Sequence, residues 1–189
     1  GHAGNGSFTF AHLTTQGGST GVYASTTYGS ISIAYQNMKF VIFRNQVNGI
    51  HLERTGGVDN NFLENLAFIN CTKGFFQEPT VGSALESNSA YVDKTMFYKN
   101  QLINCTTAFS MLATRADNLN AWVDCKFDRG QTALSIGGQN GPIVANCDFS
   151  NFNGKNVIIG NNINIHNTNI YNNNVTESTI QCIFSNIEG

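Results

Sequence analysis

One recurring hexad, apolar-x-Asn-x-x-apolar, constrains this chain more than any other feature of its sequence. It stands at Tyr35-Gln36-Asn37-Met38-Lys39-Phe40, Leu63-Glu64-Asn65-Leu66-Ala67-Phe68 and Tyr98-Lys99-Asn100-Gln101-Leu102-Ile103. It returns at Val144-Ala145-Asn146-Cys147-Asp148-Phe149 and Ile165-His166-Asn167-Thr168-Asn169-Ile170, with Asp124 in the Asn place at Trp122-Val123-Asp124-Cys125-Lys126-Phe127. After each of the first five comes a second pattern: Gly49-Ile50-His51-Leu52-Glu53, Gly74-Phe75-Phe76-Gln77-Glu78, Ala108-Phe109-Ser110-Met111-Leu112, Ala133-Leu134-Ser135-Ile136-Gly137 and Asn156-Val157-Ile158-Ile159-Gly160. Thr20-Gly21-Val22-Tyr23-Ala24-Ser25 matches it one unit earlier, so each unit carries two short strands.

Successive ladder positions are 28, 35, 24, 22 and 21 residues apart, and the shortest spacings set the basic turn. Short β-branched and aromatic strands with Asn and Gly at the corners, and no 3.6-residue period, predict an all-β chain folded as a right-handed parallel β-helix of about seven coils. Longer spacings then read as loop insertions. Each coil pairs only with its neighbours, so every inward side chain stacks on its equivalent about 4.8 Å away. An Asn at a fixed corner can hydrogen-bond the next one along the stack. A leucine-rich repeat is excluded by the scarcity of Leu, and a sandwich would not explain an Asn in fixed phase.

The chain has 189 residues, a net charge of -2, 12% charged and 41% hydrophobic residues, 14 Phe and 27 Asn. Its polarity is thus Asn rather than charge, and its aromatics can form a core, which excludes a disordered chain. No Lys/Arg cluster offers a phosphate-binding patch, and no stretch approaches a membrane span, so neither nucleic acid nor bilayer is expected as a partner. Five unevenly spaced cysteines without a CxxC pair indicate neither a disulfide framework nor zinc. Cys71 and Cys105 sit at matching turns and Cys125 and Cys147 follow the ladder position, as Cys182 could. This reads as stacked buried thiols, with a Cys71–Cys105 bridge allowed by the coil spacing.

The series Asn37, Asn65, Asn100, Asn146 and Asn167, with the turns Asn70-Cys71-Thr72 and Asn104-Cys105-Thr106, resembles the right-handed β-helix superfamily of pectate lyases, polygalacturonases and phage tailspikes. The resemblance covers about residues 20 to 186 and implies extracellular or cell-surface carbohydrate chemistry. It is architectural: the paired-Asp and Gly-His-Gly signatures of polygalacturonases and the calcium-binding Asp set of pectate lyases are absent, and fold alone does not fix function. A single β-helix domain over 1–189 is expected, with 1–19 as its N-terminal edge and 20–186 as repeat coils. The start without Met and the coil-like finish without a capping helix lead us to expect a segment of a longer solenoid or a unit that assembles through its coil ends.

Parity divides the second pattern. Ile50, Phe75, Phe109, Leu134 and Val157 point inward with Leu52, Gln77, Met111, Ile136 and Ile159. Tyr23, His51, Phe76, Ser110, Ser135 and Ile158 form an outward row, and Ser25, Glu53, Glu78, Leu112, Gly137 and Gly160 the next. Tyr23 and Phe76 flank His51 in an aromatic strip suited to stacking on a sugar ring. Glu53 and Glu78, on adjacent coils, would be about 5 Å apart, a spacing that suits a retaining carboxylate pair or an intervening cation such as Ca2+, although no motif indicates a metal or other cofactor. Insertions at 54–60, 79–93 and 113–120 exit the same strand. They bring Arg54 and Arg115, either of which could pair with an acidic sugar or act as the base of a lyase-type elimination, and Asp117 beside Arg115. The candidate catalytic set is therefore Glu53, Glu78, His51 and Arg54, and the candidate substrate contacts are Tyr23, Phe76, Arg115 and Asp117.

Two functions fit this face. One is an extracellular domain that binds, and as a hydrolase or lyase could cleave, a polysaccharide in a groove along one sheet. The other is a non-catalytic assembly module such as a surface-layer, adhesin, tailspike or filament subunit. A sugar-binding monomer would favour the first and an oligomer the second.

Overall fold

A computed structural model describes residues 9–24, 32–34, 37–52, 57–59, 61–78, 91–111, 117–137, 139–183 and 186–188. Among these there is no helix, and every strand pairing is parallel. The chain is a parallel β-solenoid with three main faces. The first is seen at Phe62–Glu64, Met96–Tyr98, Ala121–Val123, Ile143–Ala145 and Asn164–His166. The second is seen at Ala67–Ile69, Asp148–Phe152 and Asn169–Tyr171. The third is seen at Thr20–Ala24, Asn48–Leu52, Lys73–Gln77, Asn156–Asn161 and Ser178–Ile183. Two long strands, Gln101–Met111 and Lys126–Ile136, run from the second face into the third. About five full turns, from Asn37 to Asn161, lie between a coil above and a coil below. The expected seven is reached only by adding the end coils. Thr9–Gln16 pairs with Asn37–Arg44 as one of them.

The corners explain why this sequence bends where it does. Three stacks of residues adopt the left-handed conformation. His12, Phe40, Asn65, Lys99, Asp124, Asn146 and Asn167 form the first corner, between the first and second faces, and Asn45, Asn70, Asn104, Arg129, Asn151 and Asn172 the second. Lys94, Leu119 and Asn162 form the third. Asn tolerates this region better than other residues with a Cβ, which accounts for the enrichment of Asn. The ladder itself differs from expectation. Asn65, Asn146 and Asn167 are corner residues, and Asn167 Nδ2 donates to Asn146 Oδ1 at 2.9 Å. Asn37 instead pairs with Phe62, three residues before its corner, because Phe40 occupies the bend. Asn100 follows its corner, because Lys99 occupies it. The longest side-chain ladder described runs at the second corner, from Asn104 Nδ2 to Asn70 Oδ1 (3.0 Å) and from Asn70 Nδ2 to Asn45 Oδ1 (3.1 Å).

Buried Asn residues just after a corner clamp the coil below. Asn100 Oδ1 accepts from the Leu66 N–H (2.8 Å) while its Nδ2 donates to Leu63 O (3.1 Å). Asn120 does the same to Thr95 N–H and Val92 O at the third corner. At the second corner the partly buried Asn173 makes the same pair to the preceding coil, with Phe152 N–H and Phe149 O. In each case one amide reaches an N–H and a C=O three residues apart on the neighbouring coil, and so gives the corner N–H a buried partner.

Inside, equivalent rings stack as the coil rise demands: Phe43 on Phe68 (4.8 Å), Phe127 on Phe149 (4.5 Å) and Phe97 on Trp122 (5.2 Å). Phe109 joins the faces, with ring contacts to Phe75, Phe97 and Trp122. The cysteines follow the expectation of stacked thiols: Cys71, Cys105, Cys125 and Cys147 are free and buried. The three segments read as loop insertions each hold a short strand, Gly57–Asp59, Tyr91–Asp93 and Asp117–Asn118. Ser32–Ala34, Gly57–Asp59 and Tyr91–Asp93 form a small parallel sheet, and Asp117–Asn118 pairs with Gln139–Asn140.

On the third face the inward assignment holds through Ile136 and at Val157, which is buried as expected, but Ile158, Ile159 and Gly160 exchange sides. Leu134 pairs with Ile158 and Ser135 with Ile159, so Ile158 is buried and Ile159 takes the outward place. Gly160 moves inward with it. The turn from Phe152 to Ile158 holds two more residues than the paired turn from Gly130 to Leu134. That offset differs by one residue from the alignment read in the sequence, and a one-residue slip exchanges the two sides of a strand.

Candidate functional site

The site is built on the third face by a local departure from alternation. In Asn48–Leu52 and Lys73–Gln77 two consecutive residues, Gly49-Ile50 and Gly74-Phe75, turn inward. Glycine is required here: a Cβ on Gly49 would stand 2.5 Å from Phe68 Cδ1 and 2.6 Å from Gly74 O. The residues on either side of each pair, Lys73 and Phe76 among them, therefore lie on the outer side of the same strand.

Pairing places Tyr23 beside His51 and His51 beside Phe76. The Tyr23 and His51 rings are 5.0 Å apart and tilted, and those of His51 and Phe76 are 4.9 Å apart and stacked. The expected strip of three rings is thus continuous. Its members differ in openness: Tyr23 is 54% exposed, whereas His51 and Phe76 are half-buried. Phe76 is further covered by Lys73, whose Nζ lies 3.3 Å from the ring centroid in a cation–π contact. Beyond Phe76 the row continues as Ser110 and Ser135, and Ser110 is buried.

Glu78 Oε1 is 2.9 Å from His51 Nε2, across one coil. With the Nε2–H donating to this carboxylate, the neutral imidazole keeps its lone pair on Nδ1, the arrangement of a carboxylate-oriented base or ligand. Burial is the main influence on Lys73 and pushes its ammonium below the ordinary lysine value, while the Glu78 carboxylate partly restores it. One small patch therefore offers an exposed ring, an oriented imidazole, a carboxylate and an ammonium. Lys73 was missed because strict alternation puts it on the same side as Phe75; its signal in the sequence is the glycine between them, which lets two consecutive residues turn inward.

Glu53, Arg54 and Arg115 lie outside the described residues. Asp117 is in the strand Asp117–Asn118, on another side of the coil from the Tyr23–Phe76 row. Among the described residues no group of three His, Cys, Asp or Glu is placed to hold a metal, and no helix is long and apolar enough to cross a membrane.

A second concave feature runs along the second corner. It is an open groove of about 480 Å³, walled by Asn70, Asn104 and Arg129 on one side and Thr72, Thr106 and Gln131 on the other. Arg129 Nε donates to Asp128 at 2.9 Å, and Ser150 and Asn151 also donate to that carboxylate. Burial alone would raise the Asp128 carboxyl, but these bonds together outweigh it and hold the group below the usual aspartate value. In comparisons with known proteins the chain matches no family model, no curated protein and no solved structure.

Proposed function

We propose that this β-solenoid binds a polysaccharide along its third face, with the Tyr23 ring as the stacking platform and His51, Glu78 and Lys73 as the polar contacts beside it. The carrying observation is the Tyr23–His51–Phe76 ring series with the His51–Glu78 pair attached to its middle member. A sugar ring has one apolar face and a rim of hydroxyls, so it is matched by an exposed aromatic flanked by fixed donors and acceptors. The series follows the coil stack, so an extended chain would lie along the solenoid axis. Such a ligand is consistent with an extracellular or cell-surface setting. Cleavage would use the oriented His51 as base or Glu78 as acid, and the same experiment separates it from binding.

A glycan array of the wild-type chain beside Tyr23→Ala tests the reading, with reducing-end and unsaturated-uronate release assayed on every hit. Binding that falls at least about 10-fold in Tyr23→Ala supports it, since a lost stacking contact is worth on the order of 1 kcal/mol or more. Product release abolished by Glu78→Gln would add catalysis. No binding, in a protein that sediments as an oligomer, would replace this reading with that of an assembly module.

A further inference from the structure

Two pairs of cysteines stack in register, and neither pair is used by the face just described. Lys126 pairs with Asp148, which sets Cys125 beside Cys147. Ile69 pairs with Ile103 and Lys73 with Thr107, which brackets Cys71 and Cys105, and the Thr106 N–H donates to Cys71 O at 3.2 Å. Adjacent coils are about 4.8 Å apart, inside the Cα separation that a disulfide spans.

The pairs differ in surroundings. Every one of these thiols reaches two backbone carbonyls, Phe97 O and Val123 O for Cys125, Trp122 O and Ala145 O for Cys147, Phe43 O and Ile69 O for Cys71, and Phe68 O and Ile103 O for Cys105, but Cys125 and Cys147 follow the first corner. Cys147 has no exposed surface, and burial pushes the Cys125 thiol well above its ordinary value. Cys71 instead forms part of the lining of the groove at the second corner, between Asn70 and Thr72. The Cys105 thiol hydrogen-bonds it, which is the main reason the Cys71 thiol is lowered to about 7, while Cys105 is raised by the same contact and by burial.

We propose that Cys71 and Cys105 form an oxidisable dithiol that closes into a disulfide joining two adjacent coils, with the oxidant entering through the groove at the second corner. The co-reactant is a hydroperoxide, small enough for a narrow floor. The Cys71 thiolate attacks one peroxide oxygen, the O–O bond breaks, and the departing hydroxide takes up the proton that Cys71 released. Cys71 is then a sulfenic acid. The Cys105 sulfur attacks the Cys71 sulfur, the S–O bond breaks, and the hydroxyl leaves as water with the Cys105 proton. Two thiols have lost two electrons and two protons, and hydrogen peroxide has become two waters. The product ties together the coils on either side of the segment 72–104.

The test treats the folded full chain with hydrogen peroxide, quenches with an alkylating reagent after denaturation, and maps the cysteines by mass spectrometry. The expected result is a loss of about 2 Da, a peptide linking Cys71 to Cys105, and Cys125 and Cys147 still alkylated, with the first pair reacting at least about 10-fold faster. The oxidised chain should melt about 5–15 °C higher, and reductant should reverse this. In Cys105→Ser, which removes the resolving thiol, a dimedone-type reagent should label Cys71. The proposal is overturned by a wild-type chain in which Cys71 and Cys105 stay reduced, by Cys125–Cys147 closing as fast, or by Cys71 left unlabelled in Cys105→Ser while wild type shows no linked peptide.

Discussion

Replacing Asn100 isolates the contribution of a single amide to the solenoid. Its side chain is buried and serves two backbone groups of the coil below, the Leu66 N–H and the Leu63 C=O. Asn100→Leu is close in volume, so it opens little cavity; it leaves the Leu66 N–H buried without a partner and removes the second of two donors to the Leu63 C=O, which the Tyr98 N–H still reaches in the parallel ladder. One unsatisfied buried N–H costs about 1–3 kcal/mol, which gives a fall in Tm of about 2–12 °C for a chain of this size. Asn100→Asp adds a test of direction. Its carboxylate can still accept from Leu66 N–H but faces Leu63 O with like partial charge, whereas the protonated acid can donate to that carbonyl. Its folded-state pKa is therefore raised, so relative stability is greatest below the unfolded carboxyl value and is lost as pH rises through the folded one. Urea denaturation of the two variants from pH 3 to 8 measures both effects. If Asn100→Leu lies within about 0.5 kcal/mol of wild type, the reasoning that the clamp satisfies an otherwise orphaned corner N–H is wrong.

Three further outcomes are expected. Asp128→Ala should lower stability at pH 7 by about 1–2 kcal/mol. Because the folded carboxyl is depressed, the stabilisation is present above the unfolded value and lost as pH falls through the folded one, so wild type and variant should converge in acid denaturation curves. Leu119→Asn should stabilise the chain by about 0.5–1 kcal/mol in chemical denaturation, since Leu119 is 62% exposed and held at a φ of 55° that Asn adopts more readily. Gly49→Ala should cost about 1–3 kcal/mol by thermal melting, because the added Cβ meets Phe68 and the Gly74 carbonyl.

The period was legible because Asn146 and Asn167 mark successive bends directly, and no insertion separates their coils. Elsewhere the same residue type does two jobs. Asn65 bends the chain and Asn100 clamps it, and in sequence both look like one ladder. The corners at Phe40 and Lys99 were hidden because neither residue type advertises a left-handed bend; neighbouring coils impose it. Of the site, the Tyr23–His51–Phe76 series could be read from strand equivalence alone. The His51–Glu78 contact could not, since it joins two outward rows diagonally across coils. Lys73 was hidden by the inward Gly74–Phe75 pair, and the small parallel sheet through Val58 and Val92 by the shortness of its three-residue strands.

The ligand face is tested most directly by a backbone amide NMR titration of the chain with the oligosaccharides that score on the array. The account expects shifts confined to Thr20–Ala24, Asn48–Leu52 and Lys73–Gln77, centred on Tyr23 and His51 and lost in Tyr23→Ala. Shifts centred on the second-corner groove, or no shifts with any saccharide, would contradict it.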